Sequence, residues 1–236
     1  MILYFPSHCG KAAGGARGST IMDKETVIRA ISGLKQLPFG STRLAGEHGG
    51  ERFELVLLTA DRSSDMELMR LLSAWRQKHE QWFPAVFKVT VEGTARWYRS
   101  QVIGTPDRLL FLTVARGRSL GHVGLFRFDF SDDTCEIDNI VRGEPDLPGI
   151  MGPAIQAMMA WGERELGIKG FKLQTFGDNA RSLKLYERLG FRETARNPLV
   201  RKESGDRVEW VEGPAVPGAV LRYNVHMLRR VSGGRE

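Results

Sequence analysis

Leu173-Gln174-Thr175-Phe176-Gly177-Asp178-Asn179-Ala180-Arg181-Ser182-Leu183-Lys184-Leu185-Tyr186-Glu187-Arg188-Leu189-Gly190-Phe191 is the stretch whose reading decides the fold. Phe171–Phe176 reads as a strand that ends at a Gly-Asp-Asn turn. A short amphipathic helix follows and stops at Gly190. Asn179 is a capping residue, Gly190 fills the position just past the helix end, and Phe191 restarts an apolar run. Asn179, Ser182 and Tyr186 fall at i, i+3 and i+7, so one face of the helix carries a polar stripe that a purely structural helix does not need.

Immediately upstream, Ile155, Met158, Met159, Gly162 and Leu166 give the core stripe of another helix, closed by Gly167–Gly170. It is entered through a glycine-containing loop from Arg142 to Gly152. Gly143, Gly149 and Gly152 allow tight turns, and Pro153 suits a first helical turn. A strand that passes through such a loop onto a helix N-terminus offers free N–H groups and the positive end of the helix dipole, which suits phosphate. Arg142 adds a charge-assisted contact. The preceding strand is Thr134–Val141. Strict alternation sets Glu136, Asp138, Ile140 and Arg142 on one face, and Cys135, Ile137, Asn139 and Val141 on the other.

Further upstream, Leu109–Ala115 and His122–Phe130 read as an antiparallel hairpin. Thr90 opens a helix through Val91, Ala95, Tyr98 and Val102. Ser64 or Asp65 caps another that runs to about Gln81, with Leu68, Leu72, Trp75 and His79 on its face, broken by Pro84. Phe53–Leu58 is the first regular strand. Downstream, strands are expected near 191–195, 208–212 and 220–228. Residues 1–50 read as a partly disordered N-terminal extension: a basic, glycine-rich tract from His8 to Thr20, one helix over Asp23–Leu37, and a linker over Pro38–Gly50, with Met22 a candidate start. Residues 51–236 read as a single α/β (α+β) domain with a mixed, mostly antiparallel sheet and helices on both faces.

The 236 residues carry a net charge of +6, with 42% hydrophobic and 26% charged residues. No apolar run reaches the ~18 residues of a membrane span, so no membrane partner is expected. Cys9 and Cys135 form neither a disulfide framework nor a zinc motif, which points to a reducing cytoplasm and no metal. The basic residues are not interleaved with aromatics, which argues against nucleic acid and leaves a phosphorylated small molecule as the anionic ligand.

Together the two informative segments resemble the GCN5-related N-acetyltransferases. Asp178-Asn-Ala-Arg-Ser-Leu-Lys-Leu-Tyr-Glu-Arg-Leu-Gly-Phe191 is similar to that family's Asn-x-x-(Ala/Ser)-x-x-x-Tyr-x-x-x-Gly-Phe signature. The Arg142–Gly152 loop stands where the family holds the acetyl-CoA pyrophosphate, although Asp146-Leu-Pro-Gly-Ile-Met151 lacks the usual basic first residue. A narrower resemblance rests on Glu136–Glu144 and Leu147–Met151, with Trp75-Arg76, His79 and Trp82-Phe83. It is to bacterial enzymes that acetylate nucleotide-linked amino sugars.

The resemblance implies a sheet with a V-shaped split between the fourth and fifth strands, Thr134–Val141 and Phe171–Phe176. Acetyl-CoA is the implied co-substrate, lying in the split against Asn139, Ile140, Val141, Arg142, Gly143, Gly149, Ile150, Met151, Gly152, Asn179 and Ser182. Tyr186 is the implied proton donor to the leaving thiolate, and Glu136 or Asp138 the base, with His79 and His122 as alternatives. Arg76, His79, Trp82 and Phe83 are the implied acceptor contacts, and Lys88, Arg96 and Arg99 would add positive charge suited to a diphosphate. The expected reaction is acetyl transfer to a small-molecule primary amine, with a nucleotide-linked amino sugar as acceptor, by a monomer or homodimer. A protein, polyamine or antibiotic amine is the competing acceptor, and a non-catalytic acyl-CoA-binding module the competing function.

Overall fold

The computed structural model describes residues 22–214 and 222–231. The basic tract from His8 to Thr20 lies outside the described residues. In chain order the elements are α1 (Lys24–Gln36), β1 (Arg43–His48), β2 (Glu51–Leu57), α2 (Met66–Lys78), β3 (Ala85–Val86), α3 (Val91–Trp97), β4 (Leu109–Ala115), β5 (Arg118–Asp129), β6 (Thr134–Arg142), α4 (Met151–Leu166), β7 (Gly170–Phe176), α5 (Ala180–Arg188), β8 (Arg192–Ser204), β9 (Arg207–Glu212) and β10 (Arg222–Arg230). Capping explains most helix starts. Asp23, Asp65, Thr90 and Asn179 each accept from a first-turn amide of α1, α2, α3 and α5, satisfying donors that the helix itself leaves free.

The ten strands among the described residues form one sheet in the order β1-β2-β4-β5-β6-β7-β10-β8-β9-β3. Neighbours are antiparallel except β6 and β7, which run parallel because α4 carries the chain across between them. Alternate side chains of β4 divide the core. Leu109 and Phe111 pack with α1, α4 and α5 on one face, whereas Leu110 and Leu112 pack with α2 and α3 on the other.

One reading of the N-terminal third is corrected, whereas the helix expected over Asp23–Leu37 is present as α1. Pro38–Gly50 is not a linker: Arg43–His48 is the edge strand β1, paired along its length with β2. The Gly49–Gly50 dipeptide, with φ of 59° and 78°, makes the two-residue hairpin turn that favours such pairing. The helix before it is also part of the core. Val27 and Ile31 are buried there, and Lys35 Nζ donates to the carbonyls of Ile103 (3.0 Å) and Thr105 (2.6 Å). At the other end, β8 runs to Ser204 rather than ending near 195, and turns through Gly205–Asp206 into β9. β9 also pairs with β3, so this hairpin reaches the segment that follows α2.

The centre of the sheet opens. β6 and β7 pair at Thr134↔Gly170, Cys135↔Phe171 and Glu136↔Lys172, and the ladder stops there. β6 nevertheless continues to Arg142 and β7 to Phe176. The far edge of β7 stays paired with β10 along its whole length. The far edge of β6 stays on β5 but shifts register: Gly124 faces Asp138 and His122 faces Val141. Asn139 and Ile140 therefore oppose Val123 alone, as in a β-bulge, and Asn139 takes φ 49°.

The bulge also corrects the facing of β6. Strict alternation predicts Ile140 beside Asp138. Instead Ile140 packs with Cys135 and Ile137 on the α4 face, and Val141 joins the α2 cluster on the opposite one.

Candidate active site

The split supplies the first component of the site. Between Ile137 and Arg142 on one side and Leu173 and Phe176 on the other, the strand edges that face each other carry no ladder. Such edges present N–H and C=O groups that an extended ligand segment can pair with.

The loop from β6 to α4 supplies the second. Gly143 N and Glu144 N both donate to Leu120 O, which fixes the start of the loop on β5. Leu147 and Gly149 take φ of 47° and 89°, and α4 begins at Met151 with Ile150 as its cap residue. Its first turn lies against α5: a Cβ on Gly152 would touch Leu185 at 3.4 Å. Arg142 closes on the loop itself by donating to the Pro145 carbonyl, so its role within this structure is to shape the loop. His48, from β1, donates through Nε2 to Pro148 O at 2.8 Å. The sequence reading passed over this residue because it left β1 unassigned.

Side chains from the end of α2 and its C-cap residue His79 grip the start of the same loop. Trp75 Nε1 donates to Glu144 Oε1 (2.8 Å), Lys78 Nζ to Gly143 O (2.7 Å) and His79 Nε2 to Arg142 O (2.8 Å). Gly143 is required by this packing, since a Cβ there would lie 2.0 Å from the Trp75 ring. His122 is buried beside Trp75, with ring centroids 5.9 Å apart, and its Nδ1 donates to Asn139 O at 2.6 Å. Burial pushes the His122 imidazole down to about 4, although the Asn139 bond opposes that shift. Both histidines considered as alternative bases therefore hold the main chain of β6.

The two carboxylates on β6 differ. Glu136 pairs with Arg127 (3.1 Å) and accepts from Gln174 Nε2 (3.5 Å), bracing the mouth of the split from β5 to β7. Asp138 pairs with Arg108 (3.0 Å) and accepts from Asn139 Nδ2 (2.7 Å), both at Oδ2. Its Oδ1 is buried and has no hydrogen-bond partner. Burial raises the Asp138 carboxyl to about 6, against the pull of Arg108 and Asn139. A buried carboxylate with a free oxygen and a pKa near the working range has the properties of a general base.

α5 flanks the split. Asn179 accepts from Ser182 N at 3.2 Å, so the helix-cap role is occupied. Tyr186 is buried in the α4-side core, with its ring 6.3 Å from that of Phe191. Burial pushes its phenol up to about 12, and a hydrogen bond with the Ser182 side chain opposes this. The phenol thus keeps its proton across the neutral range.

The residues expected to meet the acceptor form an aromatic and arginine wall. Arg76 lies over the Phe83 ring at 3.7 Å and near Phe87 at 5.3 Å, and donates to Ala85 O. Burial lowers its pKa to about 10. Trp82 and Phe87 remain 37% and 40% exposed. The wall's second cation, Arg222 on β10, was missed by the sequence reading. It lies over Phe176 at 3.6 Å, with Trp210 at 5.4 Å and Trp82 at 5.8 Å, and pairs with Asp178 at 3.0 Å. Arg99 stands apart from this wall, donating to Ser63 O.

The chain belongs to the acetyltransferase (GNAT) domain family, whose model matches residues 54–192. It is accordingly an N-acetyltransferase with acetyl-CoA as co-substrate. Similar solved structures include a probable acetyltransferase of the GNAT family from Chromobacterium violaceum. That pair shares 16% identity over 94% of this chain and 95% of the other, with a TM-score of 0.60. Another is RimL, a ribosomal L7/L12 alpha-N-protein acetyltransferase, at 15% identity over 83% and 99% with a TM-score of 0.61. A third is the spermidine N-acetyltransferase from Vibrio cholerae, at 13% identity over 75% and 95% with a TM-score of 0.58. At these identities the likeness is one of fold. No curated protein sequence matches this one. Among the described residues no helix is long and apolar enough to cross a membrane.

Proposed function

We propose that this chain acetylates the primary amine of a nucleotide-linked amino sugar, with Asp138 as base and Tyr186 as acid. The observation that carries the reading is the interrupted β6–β7 ladder, closed through Glu136↔Lys172 and open beyond it. Acetyl-CoA supplies an activated thioester to this split. The Ile137–Arg142 and Leu173–Phe176 edges pair with the arm that carries the thioester, while the loop at Gly149–Gly152 and the start of α4 take the diphosphate. The Ile140 amide, at the bulge, donates to the acetyl oxygen and favours negative charge there.

Asp138 removes a proton from the incoming ammonium, directly or through one water, through its unpartnered Oδ1. The neutral amine nitrogen then bonds to the acetyl carbon as the carbon–sulfur bond breaks. Tyr186 gives its proton to the departing sulfur. Glu136 holds the mouth of the split, and Asn179 keeps α5 in place.

The acceptor class follows from how charge is arranged beside the split. Three carboxylates near it are paired with arginines: Glu136 with Arg127, Asp138 with Arg108, and Asp178 with Arg222. Exposed aromatic faces with Arg76 and Arg222 among them suit a base ring and a diphosphate better than a polycation. A thiol-release assay with acetyl-CoA tests this. Amino-sugar nucleotides are expected to give kcat/KM at least about tenfold above spermidine, aminoglycosides or peptides, a difference of about 1.4 kcal/mol. Preference for spermidine or a peptide amine would overturn the acceptor assignment.

A further inference from the structure

We propose that His122 is a positioning residue for acetyl transfer: its bond to the Asn139 carbonyl turns the next amide, Ile140 N–H, into the split. The inference rests on the reading that this amide receives the acetyl oxygen.

Asn139 O and Ile140 N belong to one peptide unit, and no described peptide is cis. In a trans peptide the C=O and N–H point in opposite directions. β6 lies between β5 and β7. His122 rises from β5 onto the Trp75 face of the sheet, so a carbonyl held there turns the N–H of the same peptide away from that face, and β7 offers it no ladder partner.

The geometry commits the imidazole to this one task. A carbonyl only accepts hydrogen bonds, so Nδ1 carries the proton. The ring is buried, covered by Trp75, and neutral over the working pH range. Its single N–H is therefore already spent on Asn139. The bulge needs such a tether. Asn139 sits at φ 49°, in the left-handed region that few residues other than glycine and asparagine adopt. Two residues opposite one also leave this peptide outside the regular ladder. Rotation of the free peptide would present a carbonyl to the split in place of a donor, reversing the dipole that the acetyl oxygen meets.

The test compares wild type with His122→Leu and His122→Asn. Leucine removes the donor, whereas asparagine places an amide nitrogen near the position of Nδ1. Infrared spectra of bound acetyl-CoA labelled with carbon-13 at the acetyl carbonyl read the contact without turnover. In wild type the carbonyl stretch should fall below its free frequency. In His122→Leu it should return toward the free value, with kcat lowered about 10- to 1,000-fold and CoA affinity within about threefold. His122→Asn should recover most of the frequency shift and most of kcat.

Unchanged frequency and kcat in His122→Leu would overturn the assignment. So would a parallel loss of CoA affinity and melting temperature in both variants, which marks a merely structural histidine. Failure of wild type to bind acetyl-CoA would instead remove the reading of the split itself, and this proposal with it.

Discussion

The two ends of β6 are built by different means. At Thr134–Glu136 the strand has main-chain partners on both edges, β7 along all three residues and β5 on either side of a register shift between Phe126 and Asp129. At Asn139–Arg142 the β7 edge is free; β5 still pairs with Val141 and Arg142, and side chains add to the hold, His122 on Asn139 O and His79 on Arg142 O, with Lys78 just beyond on Gly143 O. Ladder bonds use up the edge they form on. Side-chain donors secure the carbonyls from above and from β5, and leave the other edge for a ligand. The bulge converts one design into the other within a single strand, and a carboxylate with an unused oxygen, Asp138, sits at the junction.

Replacing Asp138 should break the contrast hardest. Asp138→Asn is expected to lower kcat by about 10²- to 10⁴-fold, the range for a lost general base. The pH profile sharpens the assignment. With a carboxyl raised to about 6, kcat/KM should rise with pH through 6 in wild type, because the base must be ionised. The Asn variant should lose this limb. Stability should run the other way: a raised carboxyl pKa contributes stability that is present below the ordinary value near 4 and lost as pH rises through about 6. A flat wild-type profile between pH 5 and 7 would count against Asp138.

Tyr186→Phe should come next, with kcat reduced about 10- to 1,000-fold and acetyl-CoA affinity near wild type, since only a proton donor is lost. Unaltered turnover would take the phenol out of the chemistry. The smallest effect is expected from the side-chain-held end. Gly143→Ala drives a methyl into the Trp75 ring and should cost about 1–3 kcal/mol, read as a lower melting temperature. A variant as stable as wild type would show that the α2 contacts do not hold this end.

Most elements of the central sheet were legible in the sequence because their signals are local. The Gly-Asp-Asn turn, the stripe on α5 and the glycine-rich entry to α4 are each set within a few residues. β1 was not, because Arg43–His48 holds only one sizeable apolar residue, Leu44, and an edge strand needs no apolar alternation; the Gly49–Gly50 turn was the available cue. The second half of β8, beyond Ala195, was hidden by its charged residues and Pro198. The bulge could not be read at all, since Asn139 and Ile140 fit an ordinary strand and only the register with β5 sets them apart. The tasks of His79, His122 and Arg222 are likewise long-range: each partner lies on another element.

Amide hydrogen exchange with and without acetyl-CoA tests the open end of β6 most directly. The account expects new protection at Ile140–Arg142, at Leu173–Phe176 and at the first turn of α4, with Thr134–Glu136 already protected in the free protein. Protection elsewhere, or an open end of β6 as protected before acetyl-CoA is added as after, would contradict it.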